Sequence, residues 1–188
     1  MDTIDIRALK RKAKVYISED DIEFFLGREA REKVIKYSDL EEYKTIEELL
    51  PENIDYVIIL IESSYNSGHW VLLLRNYSTI EYFNSYGSPI SFEIDLNSER
   101  LNDSLDQNVK YLNILLTKAL KRFKIVYNRK DFQKMDDNIA TCGKWIILRV
   151  ILFLKNRMNI HQFINFVDKA TKKFKLPPDL LITFLVSK

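Results

Sequence analysis

Short apolar runs in the middle of the chain predict the strands of a buried sheet. Residues 56–61 are apolar and rich in β-branched side chains, as in a buried strand, and residues 69–74 and 79–83 are further strands by the same criteria. The third run ends in Asn84-Ser-Tyr-Gly87, which is a turn sequence. The short intervals between the runs favour antiparallel neighbours.

Apolar residues at helical spacing and helix-capping residues predict helices before and after this sheet. Ser18, followed by an acidic turn and an apolar pair, indicates a capped helix that ends at Gly27. Thr45 and Glu48 have the form of a second capping box, and Pro178 opens a last short helix. The remaining expectations are helices over residues 108–123, 141–155 and 160–174, a strand over 124–127, and polar loops over 88–107 and 128–140.

The order of these elements predicts an α+β fold in which helices pack on a central, mostly antiparallel sheet. The 188 residues suffice for one domain with a full core, and the sequence shows no repeat or linker. Within this one domain we distinguish a helical N-terminal part (residues 1–50), a core that holds the candidate chemistry (56–155) and C-terminal helices (160–188).

The composition is that of an ordinary globular protein. Hydrophobic residues make up 46% and charged residues 30%, and the net charge of +2 is too small to imply nucleic-acid binding by itself. The single cysteine excludes an internal disulfide and fits a reducing compartment. The first residues show no secretory signal pattern. The most apolar stretch, residues 145–154, is short and carries Arg149, so we expect a buried helix and no membrane contact.

Cys142 is the candidate nucleophile. A polar loop precedes it and a buried helix follows it, which places the thiol at a helix N-terminus. Unpaired backbone N–H groups at that end lower the pKa of a thiol and can also bind an oxyanion. The alternative is that Cys142 is a small buried hydrophobe, as free cysteines commonly are.

His69 is the candidate base for this thiol, because it stands at the start of an apolar strand at the sheet edge. Asn84 ends the next strand, and antiparallel pairing would let its amide oxygen accept the Nδ1 proton of His69. Gln133, in the loop before Cys142, is a candidate donor to an oxyanion. The simpler alternatives are a surface histidine, a turn asparagine and a solvated glutamine. We interpret His161 as a helix-start residue.

The sequence indicates neither a metal site nor a phosphate site. One cysteine and two distant histidines cannot form a plausible zinc site without several carboxylates. The sequence also contains no phosphate-binding loop.

Four short segments occur in a characteristic order. They are Gly68-His69-Trp70, Glu81-Tyr-Phe-Asn84-Ser-Tyr-Gly87, Gln133 and Thr141-Cys142-Gly143-Lys-Trp145. Together they resemble the adenovirus-type (adenain-like) cysteine proteases, which share a fold with the SUMO-deconjugating proteases. The pattern is most similar to the maturation proteases of virophages, giant viruses and related large DNA viruses. It covers residues 56–155, and residues 16–50 also resemble the viral branch.

The resemblance implies a cysteine endopeptidase of the ubiquitin-like-protease fold that cleaves viral capsid or core precursors at Gly-containing motifs. The implied site residues are the nucleophile Cys142, the base His69, its orienting partner Asn84, the oxyanion donor Gln133, and the substrate-binding residues Trp70 and Gly143. Many members have Asp where this chain has Asn84, and a neutral partner predicts a weaker thiolate–imidazolium pair. No cofactor is implied, although DNA or a peptide could act as an activator.

Three alternatives stay open from the sequence. A ubiquitin-like-protein deconjugase would use the same chemistry on another substrate, and an acyltransferase of the same fold would need an acyl-donor site. A non-catalytic module would bind nucleic acid through the basic segments from Arg7 to Lys14 or from Lys169 to Lys175, for which solvated surface is the simpler interpretation. We otherwise expect a monomer that acts on protein substrates at the virus assembly site in the host cytoplasm and in the virion.

Overall fold

The structure, a computed structural model, describes residues 4–187, and five strands in this part of the chain form one sheet. The strands are β1 (Val34–Lys36), β2 (Tyr56–Ser64), β3 (Ser67–Asn76), β4 (Thr79–Asn84) and β5 (Lys124–Tyr127), and they lie side by side in that order. The central strands β2, β3 and β4 pair antiparallel, whereas both edge strands pair parallel with their neighbours. The predicted α+β fold is therefore confirmed, with parallel pairing confined to the sheet edges.

Nine α-helices within residues 4–187 surround the sheet. They are α1 (Ile6–Lys12), α2 (Glu19–Leu26), α3 (Ile46–Leu49), α4 (Phe92–Leu96), α5 (Glu99–Ser104), α6 (Tyr111–Ala119), α7 (Cys142–Asn156), α8 (Ile160–Phe174) and α9 (Pro178–Leu185). Ser18 forms the predicted capping box, with Asp21, and the Thr45 hydroxyl accepts from the Glu48 N–H. None of these helices is both long enough and apolar enough to cross a bilayer.

Apolar side chains cover both faces of the sheet. This explains why the sequences of the central strands are nearly continuous apolar runs. Alternate residues of β2 point to opposite faces. On one face Ile58 and Leu60 belong to a core shared with α7, α8 and α9. On the other face Ile59 and Ile61 pack with α3 and α6. The sheet is therefore the middle layer between two groups of helices.

The segment between β4 and α6 differs from the predicted polar loop, because it contains the short helices α4 and α5. Amide side chains hold this segment against the end of β2. Asn97 Nδ2 and Gln107 Nε2 each donate to the Glu62 carbonyl oxygen at 2.9 Å. Asn102 Nδ2 donates to the Ile94 carbonyl oxygen at 2.8 Å. Hydrogen bonds replace a regular apolar stripe here, so hydrophobic periodicity does not predict these helices.

A buried ion pair joins α7 to the sheet. Arg149 Nε and Nη2 donate to the two carboxylate oxygens of Glu81 at 2.8 and 2.6 Å. Burial raises the pKa of Glu81, while the hydrogen bonds and charge of Arg149 act in the opposite direction. The pair explains why an arginine lies within the most apolar stretch of the sequence, and it anchors the helix that begins at Cys142.

Candidate active site

Cys142 is the first residue of α7, which is the predicted position at a helix N-terminus. The preceding Thr141 does not cap the helix with its side chain, and its hydroxyl donates instead to Asp179 Oδ1 at 2.6 Å. The backbone N–H groups of Trp70 and Gly143 act to lower the pKa of the Cys142 thiol. Backbone donors near a sulfur favour its thiolate form.

The pairing of β3 with β4 brings His69 to Asn84. Val71 lies opposite Asn84 in this register, and His69 Nε2 lies 2.9 Å from Asn84 Oδ1. The predicted contact therefore forms, but the expectation that Nδ1 makes it was wrong. Because Asn84 contacts Nε2, Nδ1 is the ring nitrogen that remains for the Cys142 thiol, whose pKa His69 lowers.

Neighbouring groups set the orientation of the Asn84 amide. Oδ1 also accepts from the Tyr86 N–H at 2.9 Å, and Nδ2 donates to Glu93 Oε1 at 2.6 Å and to Ser88 Oγ at 2.8 Å. A flipped amide would set its oxygen against the carboxylate and its NH₂ group against a backbone N–H. The amide oxygen therefore faces His69, so Nε2 carries the ring proton in the neutral tautomer and Nδ1 accepts from the thiol.

The surroundings favour the ion-pair form of Cys142 and His69. Burial acts to raise the pKa of the thiol, but the charge and hydrogen bond of His69 and two backbone N–H groups lower it overall. Burial acts to lower the pKa of His69, but the charge and hydrogen bond of Cys142, the charge of Glu93 and the Asn84 hydrogen bond raise it overall. A lowered thiol pKa beside a raised imidazole pKa is the signature of a thiolate–imidazolium pair.

Tyr86 covers the imidazole, a role that the sequence pattern does not indicate. The ring centroids of His69 and Tyr86 are 4.3 Å apart, with 12° between the ring planes. The Tyr86 hydroxyl accepts from Gln133 Nε2 at 3.4 Å. Burial raises the pKa of Tyr86 to about 12, so the phenol stays neutral. It restricts rotation of the His69 imidazole and links this ring to Gln133. The only signal in the sequence is the position of Tyr86 in the turn after β4.

Gln133 lines the same cleft as Cys142 and His69, with a volume of about 430 Å³. Its side chain is buried, which contradicts the alternative of a solvated loop glutamine. Oε1 accepts from Ser85 Oγ at 2.9 Å, and Nε2 donates to the Ile139 carbonyl oxygen at 3.2 Å. Because the Ser85 hydroxyl holds Oε1, the donor group Nε2 is turned towards residues that line the cleft.

Trp70 and Gly143 hold the segment around Ile17 next to the cleft. Trp70 Nε1 donates to the Ile17 carbonyl oxygen at 3.0 Å, and the indole lines a depression beside the cleft rather than the cleft with Cys142. A Cβ atom at Gly143 would lie 2.6 Å from Ile17 Cβ. Close approach of Ile17 therefore requires glycine at this position. Contact of either residue with a substrate stays a prediction.

Glu93 is a buried carboxylate behind Asn84 that the sequence pattern does not indicate. It lies in α4, and its Oε1 is 3.9 Å from His69 Nε2. The segment that carries it shows no regular apolar spacing. No local signal therefore identifies it as part of the site.

His161 lies outside the cleft. It is at the start of α8, as predicted, where it lines a depression together with Glu81 and Arg149. Within residues 4–187 no group of three or more His, Cys, Asp or Glu residues is arranged to hold a metal ion.

Comparisons with known proteins identify structural and sequence relatives. No protein-family model matches the chain. The chain is similar to the SUMO protease Ulp1 with its catalytic cysteine oxidized to a sulfonic acid, at 15% identity and a TM-score of 0.41, over 98% of this chain and 86% of that one. It is also similar to the C-terminal Ulp1 protease domain in complex with Smt3, the yeast ortholog of SUMO, at 14% identity and a TM-score of 0.39, over 97% and 82%.

One relative in sequence is a virophage protein. The chain is 33% identical over 181 residues to the "Uncharacterized protein V9" of Sputnik virophage, and the aligned region covers 96% of this chain and 99% of V9. This identity extends over nearly the whole of both chains. The chain therefore belongs to the same protein family as V9 of Sputnik virophage.

Proposed function

We propose that this chain is a cysteine endopeptidase in which Cys142 and His69 carry out the reaction. The observation that carries the proposal is that Cys142, His69 and the buried Gln133 line one cleft, in which Asn84 Oδ1 contacts His69 Nε2 and His69 lowers the pKa of the thiol. A cysteine that only fills space in an apolar core lies among apolar side chains, and burial there raises the pKa of its thiol. The imidazole and backbone N–H groups near Cys142 instead lower the pKa of its thiol.

In the proposed reaction the Cys142 thiolate attacks the scissile carbonyl carbon, and the π electrons of the carbonyl move onto its oxygen. The Cys142 N–H and the Gln133 side-chain amide donate to this oxyanion. The protonated Nδ1 of His69 gives its proton to the leaving amine as the C–N bond breaks, which leaves a thioester. Water, deprotonated by His69, then hydrolyses the thioester, releases the carboxylic acid and restores the thiol.

The proposed substrates are viral capsid or core precursors, cut at Gly-containing motifs. Membership in the family of V9 of Sputnik virophage supports a viral protein, and the order of the four sequence motifs supports this substrate class. Such a protease would act at the virus assembly site in the host cytoplasm and in the virion. All proposed catalytic groups come from one chain, so a monomer suffices.

A ubiquitin-like-protein deconjugase is the second candidate, because it would use the same catalytic residues. Cleavage is measured in two separate incubations, one with capsid precursors and one with ubiquitin-like conjugates. The substrate that is cleaved distinguishes the two functions. If only the ubiquitin-like conjugates are cleaved, the protein is a deconjugase and the proposed maturation role is wrong. An activating DNA or peptide stays a prediction, supported by the exposed basic side chains of Arg7, Lys10 and Arg11 on α1.

The pH dependence of Cys142 alkylation by iodoacetamide tests the reactive pair without a known substrate. The single cysteine makes the label unambiguous. We expect fast alkylation to persist well below about pH 8.5, the ordinary pKa of a free thiol, because the thiolate is present above its lowered pKa. In His69→Ala the imidazolium charge is lost, so the thiol pKa rises and alkylation at neutral pH slows.

His161→Ala is the matched control for this titration, because it removes the other histidine of the chain and lies outside the cleft. Its profile should coincide with that of the wild type. Slow alkylation with an ordinary thiol pKa in the wild type, unchanged in His69→Ala, would instead identify a buried structural cysteine.

Gln133→Ala is expected to lower kcat by roughly 10²–10³-fold, the cost of removing one oxyanion donor. The alkylation profile of Cys142 should stay unchanged, because His69 and the backbone N–H groups of Trp70 and Gly143, which lower the pKa of the thiol, are kept in this variant. Steady-state kinetics and the alkylation titration on the same preparation measure both quantities. An unchanged kcat would remove Gln133 from the oxyanion site.

A further inference from the structure

Glu93 is a buried carboxylate with no role in the reaction described above. Its Oε1 accepts hydrogen bonds from Asn84 Nδ2 at 2.6 Å and from Ser88 Oγ at 2.8 Å. The same oxygen lies 3.9 Å from His69 Nε2, and the Glu93 side chain is only 6% exposed. A carboxylate therefore stands directly behind the amide that contacts the imidazole.

The charge of Glu93 has no lysine or arginine partner within residues 4–187, where its ion-pair partner is His69. The other carboxylate oxygen, Oε2, is buried and has no hydrogen-bond partner among these residues. A buried carboxylate without a cation is costly. This cost is offset when His69 is positively charged, and the charge of Glu93 acts to raise the pKa of His69.

We propose that Glu93 supplies the negative charge that Asn84 lacks and holds His69 in its imidazolium form through the Asn84 amide. The inference rests on the proposed function, in which His69 is the base. Glu93 is a positioning residue, because the Asn84 amide, and not Glu93, makes the hydrogen bond to the imidazole.

The Asn84 amide connects the carboxylate to the imidazole. Oδ1 faces His69 while Nδ2 donates to Glu93. A negative charge at the Nδ2 end polarises the amide in the direction that makes Oδ1 a stronger acceptor. The carboxylate also prevents the amide flip that would turn an NH₂ group towards the base. The weaker ion pair expected from Asn84 alone is thereby compensated.

The remaining titratable groups around His69 and Glu93 do not supply this charge. They are Tyr82 of β4, Tyr86 of the turn after it, Glu62 of β2, Asp136 and Asp137 of the loop before α7, and Cys142 of α7. Burial raises the pKa of both tyrosines, which keeps them neutral. Glu62 is paired with Lys36 at 3.3 Å, and the two aspartates are exposed. Among these groups, Glu93 is the carboxylate bonded to Asn84.

The test is the pH profile of Cys142 alkylation by iodoacetamide in Glu93→Gln. Glutamine keeps an oxygen that can accept from Asn84 and Ser88, but it carries no charge. We expect the rate near pH 6, relative to the rate of the same variant near pH 9, to fall about tenfold, the effect of removing one opposite charge at this separation. Thermal unfolding followed by circular dichroism establishes that the variant is folded.

Two further variants make the result specific to the charge of Glu93. Glu62→Gln neutralises another buried glutamate of the same cleft, whose charge Lys36 already balances, and its profile should match the wild type. Asn84→Asp/Glu93→Gln returns a carboxylate to the position beside His69, and we expect it to restore the wild-type profile. If Glu93→Gln does not fold, the test is made on the double variant Asn84→Asp/Glu93→Gln. Alkylation of Cys142 in the double variant with the pH dependence of a free thiol would overturn the proposal.

The outcomes separate this inference from the proposed function. If Glu93→Gln superimposes on the wild type while His69→Ala loses its reactive thiolate, Glu93 has no such role and the proposed function stands. If the wild type itself has an ordinary thiol profile that His69→Ala leaves unchanged, the proposed function fails and the role of Glu93 fails with it. If the alkylation rate near pH 6 falls in Glu93→Gln and the double variant restores it, the result supports both the proposed function and the role of Glu93.

Discussion

Peptide cleavage is expected to fall by roughly 10⁴-fold or more in kcat when either Cys142 or His69 is replaced by alanine, because a nucleophile and its base act as one unit. Asn84→Ala should cost less than His69→Ala, since the thiol and the imidazole remain in contact. The measurement is steady-state hydrolysis of quenched fluorescent peptides with glycine beside the scissile bond. Capsid precursor proteins are the second substrate in the same assay.

The chain provides its own control for this experiment. His161→Ala removes a histidine at the start of α8, outside the cleft, and should leave kcat within a few-fold of the wild type. If His69→Ala and Asn84→Ala both cost as little as His161→Ala, the assignment of base and orienting residue is wrong.

Arg149→Met is expected to lower the free energy of unfolding by about 3–5 kcal/mol, the cost of breaking a buried ion pair from one side. The variant leaves the Glu81 carboxylate buried without the two donors that lie 2.8 and 2.6 Å from it. Methionine fills much of the volume of the arginine stem, so the loss reflects the charge rather than a cavity. Urea unfolding followed by circular dichroism measures it.

Arg157→Met is the matched control, because Arg157 pairs with Asp55 at 2.6 Å on the surface, where the side chains are 54% and 35% exposed. Such pairs contribute at most about 1 kcal/mol. Replacing both buried partners, in Glu81→Leu/Arg149→Met, should recover most of the loss. If Arg149→Met costs no more than Arg157→Met, the buried pair does not stabilise the attachment of α7 to the sheet.

The candidate site was largely predictable because the chain has one cysteine and two histidines. A polar loop followed by an apolar helix located Cys142 at a helix N-terminus, and two consecutive strands predicted the contact between His69 and Asn84. These features depend on local spacing, which the sequence displays directly. The catalytic roles of these residues stay predictions until the variants are measured.

Other parts of the site were not predictable, because they arise from contacts between separate elements. Whether Asn84 contacts Nε2 or Nδ1 of His69 depends on which side of the imidazole ring the Cys142 thiol occupies. Tyr86 stacks on the His69 imidazole, and Glu93 contacts Asn84 from a helix held in place by the buried amide of Asn102. Neither contact produces a periodic pattern of residues in the sequence.

The sequence by itself determined the central strands, the long C-terminal helices and the start of α7 at Cys142, because hydrophobic periodicity and capping are local properties of the backbone. Only the tertiary structure decided the pairing of the three-residue edge strand β1, too short to show alternation. The same holds for the approach of Ile17 to Gly143 and the burial of Glu93 behind Asn84. These features depend on how distant segments pack together, and packing distance is not encoded in the spacing of residues along the chain.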